Sequence, residues 1–502
     1  MDPEEGLILQ KEHQNNAEKL CFSQDSQNME EKGTSYNAID QPSHINLRSS
    51  MMERTLSAMY KLSGDRHFVL AAFFSLSFVN AWIWITWSPF VPDCAKIWNV
   101  SHADVDALSS VYMYIYIPFA LLAFFGINEY GLKWGLHCAS ILNFVGAWFR
   151  YFGFENYSMV YTGTLLCGLA QTFILSMPSL LSGEWFGSTE QAIATSIGVL
   201  GNQLGIAIGL SESIFINGEG DKRNEILICV FAQLLVSLLA MFLVFCWIKE
   251  SRPSSPPSLA RISSFSIDPN STALKDFFNI PPEFEEHVRS LILQQRVLVK
   301  NPTFVESINI FFSDASHVWF GIIYGIVVGV FYAICTFLSQ YLTLSLVECG
   351  VLGALFIIIG CLGPVITGYL LDNSIGTHRE ITFYNVVGCL VSTIYMWVAI
   401  WLFPHSRIHI YSSILLNGIL LTALISTGFE YCSAITFPAD EGVVTAILNC
   451  FAQVFGWLLV YIGGSLSSVD GFQYNSILVG FVLVATILFA TFVKTQSRRP
   501  RD

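Results

Sequence analysis

Residues 190–214, EQAIATSIGVLGNQLGIAIGLSESI, have a counterpart 250 positions further on in residues 440–464, DEGVVTAILNCFAQVFGWLLVYIGG. Both stretches open on acid (Glu190 in the first, Asp440 and Glu441 in the second), and both place a Thr eight residues before a Gln: Thr195 and Gln203, then Thr445 and Gln453. Each is a mostly apolar run, long enough to cross a hydrocarbon core of about 30 Å, which takes roughly 20 helical residues. Two matched spans at a fixed offset imply a duplicated helical unit. Two loops repeat as well: Gly126 and Glu129 follow the second apolar run, and Gly368 and Asp372 follow the eighth.

Outward from this pair, further apolar segments are expected to span at 67–90, 108–126, 132–153, 158–182 and 225–247, with 190–214 as the fifth of six. A second set follows at 316–341, 350–371, 381–403, 408–432, 441–465 and 475–494. A β-barrel is excluded, because its strands would be alternating runs of about ten residues. The fold class is therefore an all-α membrane protein of about twelve transmembrane helices in two six-helix halves, 67–247 and 316–494. Parallel duplication of six-helix units is the plan of the major facilitator fold.

Three polar segments remain. Residues 1–66, rich in Asn, Gln, Ser and Glu, read as a disordered tail, with one short amphipathic helix around Met51–Leu62. A linker at 248–315 contains Arg252-Pro253-Ser254-Ser255-Pro256-Pro257, a helix stop and extended tether; one surface helix is expected near 281–300. A short tail, 495–502, closes the chain. No signal peptide precedes the first apolar run, so that run must itself act as the targeting signal.

Composition agrees with lipid as the solvent: 53% of the 502 residues are hydrophobic, 13% are charged, and Phe occurs 40 times. The net charge of −13 offers no basic stripe for phosphates, which excludes nucleic acid as a partner. Of the 25 Lys and Arg, 18 fall in the two termini and the linker, and Lys133 and Arg379 lie in short loops on the same side. Basic residues gather on the cytoplasmic side, so both termini and the linker are expected there. Lys96, Arg150, Arg407 and the Lys222-Arg223 pair are assigned to loops on the other side. Asn99-Val100-Ser101 and Asn156-Tyr157-Ser158 are sequons in those outer loops, which makes Asn99 and Asn156 candidate N-glycosylation sites. A third, at Asn270, sits in the linker and is expected to stay unmodified. The 12 Cys are scattered without metal spacing and read as small buried hydrophobes.

Polar groups at bilayer depth need partners, so each raises a functional question. Trp84 and Tyr332 lie on the first and seventh runs, repeat mates that both line the central cavity in this fold. Gln171 and Gln453 lie on the fourth and eleventh, which also reach it. Aromatic faces attract a desolvated cation by about 2 kcal/mol or more. A quaternary ammonium suits such a cage, since it has no N–H to satisfy, and the two amides suit a hydroxyl on the same molecule. A cation with a hydroxyl tail, such as choline, meets both needs. Plainer readings stand beside this one. Trp82, Trp84 and Trp87 also fit an interfacial aromatic belt, intramembrane Gln also serves as glue between helices, and Tyr332 also fits plain packing. Asn80, Asn202, Gln203 and Glu430 are further candidates for cavity or gating roles. The glycines of Gly201-Asn202-Gln203-Leu204-Gly205 suggest close helix approach. The first and fourth runs carry no central carboxylate, which favours facilitated diffusion over proton coupling.

At these residues the chain resembles the feline leukaemia virus subgroup C receptor-related transporters, a major facilitator family associated with choline, ethanolamine and heme. The resemblance spans roughly residues 66–497. It rests on Asn80-Ala81-Trp82-Ile83-Trp84-Ile85; on Ala170-Gln171-Thr172-Phe173 through Ser179, with Trp185-Phe186-Gly187; and on Gly201 through Gly209. Phe331-Tyr332, Gln340, Gly428-Phe429-Glu430, Pro438, Glu441-Gly442 and Ala452-Gln453-Val454-Phe455-Gly456 complete it. The resemblance implies a choline pocket in which Trp84 and Tyr332 face the ammonium, with Gln171 and Gln453 nearby.

The expected function is thus an alternating-access, facilitative carrier of choline or ethanolamine-like cations, a monomeric plasma-membrane uniporter that binds no cofactor. Heme transport is a second reading, weakened because His137 is the one His deep within the runs, with His67, His317 and His409 at run ends, and no axial pair forms. A non-transporting receptor or sensor is a third. An enzyme is not expected, because no nucleophile–base or metal constellation appears.

Overall fold

The computed structural model describes residues 62–187, 190–216, 221–253, 302–342, 344–373, 378–465 and 471–493. Nearly all of the expected N-terminal tail, most of the linker with its expected helix near 281–300 and the Asn270 sequon, and the tail 495–502 lie outside the described residues.

The first half contains α1 (Arg66–Ile85), α2 (Val91–Trp98), α3 (His102–Tyr130), α4 (Leu132–Phe152), α5 (Tyr157–Ile174), α6 (Met177–Trp185), α7 (Gln191–Ser211) and α8 (Lys222–Trp247). The second contains α9 (Phe304–Ser313), α10 (Ala315–Tyr341), α11 (Leu346–Gly360), α12 (Leu362–Asn373), α13 (His378–Leu402), α14 (Arg407–Thr436), α15 (Glu441–Ser465) and α16 (Gly471–Phe492). By length and apolarity, ten helical segments among the described residues are able to cross a membrane, and α5 with α6, bent by 44°, makes an eleventh. The remaining expected segment is α4; its 21 residues span about 31 Å at 1.5 Å per residue.

Side-chain chemistry marks the helix starts. Ser101 with Asp104, Thr303 with Glu306, and Ser345 with Glu348 form capping boxes at the heads of α3, α9 and α11. In each, the hydroxyl satisfies one orphan N–H while the carboxylate returns to another. Prolines accompany the breaks. Three expected single spans are interrupted: after Ile85, ahead of Pro89 and Pro92; after Ile174, ahead of Pro178; and after Gly360, ahead of Pro364. Proline has no N–H to continue the ladder.

The halves repeat one packing scheme. α1 lies against α7 as α10 lies against α15, α4 against α5 as α13 against α14, and α4 against α8 as α13 against α16. Between the halves, α3 meets α15 and α7 meets α11, the two-fold-related pairing of a duplicated unit. The α1–α7 contact rests on a glycine ladder. A Cβ on Gly201 would come within 2.9 Å of the Phe74 carbonyl, one on Gly205 would overlap that of Phe78, and one on Gly209 would stand 3.1 Å from that of Trp82. Only side-chain-free positions let the two backbones approach so closely, the small-residue packing of membrane helices.

The bundle has two ends: a sequon face, carrying Asn99 and Asn156, and a linker face, carrying Arg66 and Arg252. Lys222 pairs with Asp93 at 3.2 Å and Arg223 with Glu155. The basic pair that stood out at the sequon face is therefore matched by local acid.

Candidate functional site

A void of about 660 Å³ lies between the halves, lined by Trp84 (α1), Gln171 (α5), Pro178 (α6), Asn202 and Gln203 (α7), Tyr324 and Tyr332 (α10), Phe429 (α14) and Asn449 (α15), among others. It reaches from Trp84 towards Pro178 and Phe429. The repeat therefore brings its first and seventh spans to one chamber.

The Trp84 and Tyr332 rings meet edge to face, with centroids 5.4 Å apart and planes at 79°. They do not face each other across an open gap. Two near-perpendicular ring planes make a re-entrant corner with one aromatic face on each wall, and a cation seated there lies within about 6 Å of both centroids. Trp84 is only 3% exposed, and its indole N–H donates to the Ser109 carbonyl at 3.1 Å. The hydrogen bond uses the ring's edge and leaves its face for the void.

Beyond the corner the lining turns polar. Gln171 Oε1, Gln203 Oε1 and the Tyr324 hydroxyl are buried without a hydrogen-bond partner among the described residues. Buried polar atoms cost free energy until paired, so these three favour a ligand carrying O–H or N–H groups. Among the described residues, no carboxylate or basic side chain contributes to the lining.

Other candidates fall elsewhere. Gln453 is buried on α15 one turn beyond Asn449; Asn449 lines the void and Gln453 does not. Asn80 is fully buried, donating at 2.9 Å to both Asn143 Oδ1 and the Cys167 carbonyl, and Asn143 donates to Ser237 at 3.2 Å. That chain joins α1, α4, α5 and α8 as interhelical glue and leaves Asn80 outside the lining. Glu430 is exposed in the last two turns of α14, beside the void-lining Phe429. His137 stands on α4 against Phe245, away from the void, with Nδ1 at 2.7 Å from the Lys133 carbonyl. Asn99 and Asn156 are both exposed. Asn99 adopts a left-handed conformation (φ 52°), while Asn156 caps α5 by accepting from the Ser158 N–H at 2.9 Å.

Two charged residues are placed differently from the sequence expectation, and a third, Glu212, is not singled out by it. Arg150, assigned to an outer loop, is fully buried in the last turn of α4, on the same inward face as Leu136 and Asn143. Asp106, placed before its span, is buried inside α3, which starts earlier than expected, and Glu212 is 2% exposed after α7. Acids and bases inside long apolar runs were the available signal, but averaging over a run hides which way one side chain points.

Near the sequon face, five hydrogen bonds among the described residues cross between the halves. Ser88 donates to the carbonyls of Cys335 (3.0 Å) and Thr336 (2.7 Å), and Ser339 donates to that of Ser88 (2.7 Å). Ser213 donates to the Leu346 carbonyl (3.0 Å), and Gln340 Nε2 donates to Asp106 Oδ1 (2.9 Å). At the linker face, Phe304 of α9 packs on Phe124 and Phe125 of α3, with centroids 6.1 and 5.9 Å away.

Residues 73–460 match the family model of the Major Facilitator Superfamily. The chain is 30% identical over 481 residues to the choline/ethanolamine transporter flvcr2a of Danio rerio, covering 93% of each. It is 28% identical over 457 residues to the choline/ethanolamine transporter FLVCR2 of Homo sapiens, covering 88% of this chain and 80% of that one. Among solved structures, the xylose transporter XylE from E. coli, in a partially occluded inward open conformation, superimposes with a TM-score of 0.60 at 13% identity, over 88% of this chain and all of that one (100%). The E. coli fucose:proton symporter FucP gives 0.56 at 10% identity, over 86% of this chain and 98% of that one. At such identities the likeness speaks for the fold alone.

Proposed function

This chain belongs to the major facilitator superfamily, in its feline leukaemia virus subgroup C receptor-related branch, and from that premise we propose that it is a facilitative carrier of choline or ethanolamine-like cations. Relatives and fold are those of multi-pass membrane transporters, not enzymes. The observation that carries the substrate is the corner of Trp84 and Tyr332, one ring from each half, opening on a void with unpartnered amide oxygens. A quaternary or primary ammonium occupies the corner, and its hydroxyl donates to Gln171 or Gln203. Gln453, one turn from the lining, joins when the halves rock. A lining without carboxylate or basic side chains among the described residues supports uniport, since no such group stands there to carry a proton with the substrate.

The test is thermal stabilisation of the purified full chain. A ligand at about 100 times its Kd adds about 2.7 kcal/mol of stability through linkage, a rise in melting temperature of several degrees. Choline and ethanolamine are expected to stabilise, and betaine, whose carboxylate has no O–H to donate to Gln171 or Gln203 Oε1, to do so less. Stabilisation by heme alone would replace the cation reading with heme transport. Stabilisation by none of them, with no uptake, would leave a receptor or sensor.

The reading also orients the chain as a monomer in the plasma membrane, with its sequon face outside and both termini in the cytoplasm. Asn99→Gln and Asn156→Gln are each expected to raise gel mobility by one glycan, and enzymatic deglycosylation to abolish the difference. Identical mobility of wild type and double variant, with and without deglycosylation, would refute that orientation.

A further inference from the structure

The backbone leaves α-helical geometry after Ile85, turns at Thr86 and Trp87, and continues as a single 3-10 turn, Ser88–Phe90. This elbow carries Trp84 into the void and Ser88 across to the other half. An unwound segment inside a membrane must find hydrogen-bond partners within the protein. Here the partners converge from α4, the turn after α7, and α8. Arg150 Nη1 donates to the Ile83 carbonyl at 2.9 Å, one of the last-turn carbonyls that a helix end leaves open. Its guanidinium carbon lies 4.6 Å from the Trp87 ring centroid. Glu212 Oε1 accepts from the Trp82 indole at 2.7 Å and from Gln233 Nε2 at 2.9 Å, and Gln233 in turn reaches Thr86 Oγ1 at 2.6 Å.

A buried arginine and a buried glutamate are costly in a membrane bundle. Neither lines the void, yet both act on the same elbow from behind. Arginine suits its place because one planar group serves a carbonyl with its edge and an aromatic ring with its face, which lysine does not reproduce.

We propose that Arg150 and Glu212 are positioning residues for the cation site: they fix the elbow, set where the Trp84 ring stands, and through Ser88 couple that position to closure of the sequon face. The inference rests on the reading of Trp84 as a wall of the cation corner.

Two measurements separate the inference from that reading. The first needs no substrate. Hydrogen exchange of the full-length protein should show faster exchange at amides 84–90 in Arg150→Lys, and in Trp82→Phe, which removes the hold of Glu212 on α1. The two variants probe the elbow from different sides, so one remains informative if the other does not fold. The second is choline uptake in proteoliposomes. Arg150→Lys is expected to raise KM about tenfold with kcat within about twofold. On a Trp84→Ala background the same substitution should add less than about twofold, because the group it positions is gone. Unchanged exchange at 84–90 in the folded variants, or full additivity with Trp84→Ala, would reduce Arg150 and Glu212 to ordinary packing and overturn the proposal. A wild-type protein without choline uptake would defeat the cation reading, while the exchange measurement still decides the elbow.

Discussion

Trp84→Ala is expected to raise the KM for choline by about thirtyfold, so that uptake at substrate levels near the wild-type KM falls by about fifteenfold. The ring supplies one wall of the corner, and a desolvated cation–aromatic contact is worth about 2 kcal/mol or more, which corresponds to about thirtyfold in affinity. Alanine also leaves the Ser109 carbonyl without its indole donor. Trp84→Phe separates the two effects, since it keeps an aromatic face and loses the N–H. If the face does the binding, the phenylalanine variant retains most of the affinity; if the hydrogen bond matters more, both variants fail alike. Uptake by Trp84→Ala indistinguishable from wild type would remove the corner from the mechanism.

The second large effect concerns the seam between the halves. Asp106 is 4% exposed, and its bond from Gln340 is the one side-chain-to-side-chain link among the five crossing near the sequon face. Removing the acceptor and leaving the Gln340 amide unpaired costs about 1–3 kcal/mol. Loss of the bond shifts the balance between the two alternating states by roughly 5- to 150-fold. Asp106→Ala is therefore expected to lower the Vmax of choline uptake about tenfold or more, because a carrier that lingers in one state turns over slowly. Asp106→Asn keeps an acceptor oxygen and should retain most of the rate. The readout is Vmax in proteoliposomes at matched protein density. An undiminished Vmax in Asp106→Ala would show that this bond does not hold the seam.

Much of this architecture is legible in the sequence, for a physical reason. Lipid demands long apolar helices, and long apolar runs are visible without knowing how they pack. The glycines at 201, 205 and 209 likewise announce a close approach, because at that spacing they lie on one helix face. The corner was legible only as two aromatic residues on repeat-mate helices, not as rings in contact. The breaks after Ile85, Ile174 and Gly360 are harder to read, although Pro89, Pro178 and Pro364 mark them, because hydropathy runs straight through. Arg150 and Glu212 illustrate the firmest limit. Each is a charge near the end of an apolar run, where loop and interior look the same, and only the rotation of the helix decides which it faces.

The seam near the sequon face and the contact at the linker face are built from different bonds. Hydrogen bonds are short and directional, and they weaken steeply once bent or stretched. The five that join Ser88, Ser213, Ser339 and Gln340 to their acceptors hold until strained, then release within a fraction of an ångström. Phe304 against Phe124 and Phe125 is held by dispersion spread over many atoms, each weak, so those rings can slide while staying in touch. One end of the bundle is thus a snap fastener and the other a greased bearing. A rocking cycle on such a frame would be uneven in time: abrupt where the fastener parts, gradual where the bearing turns.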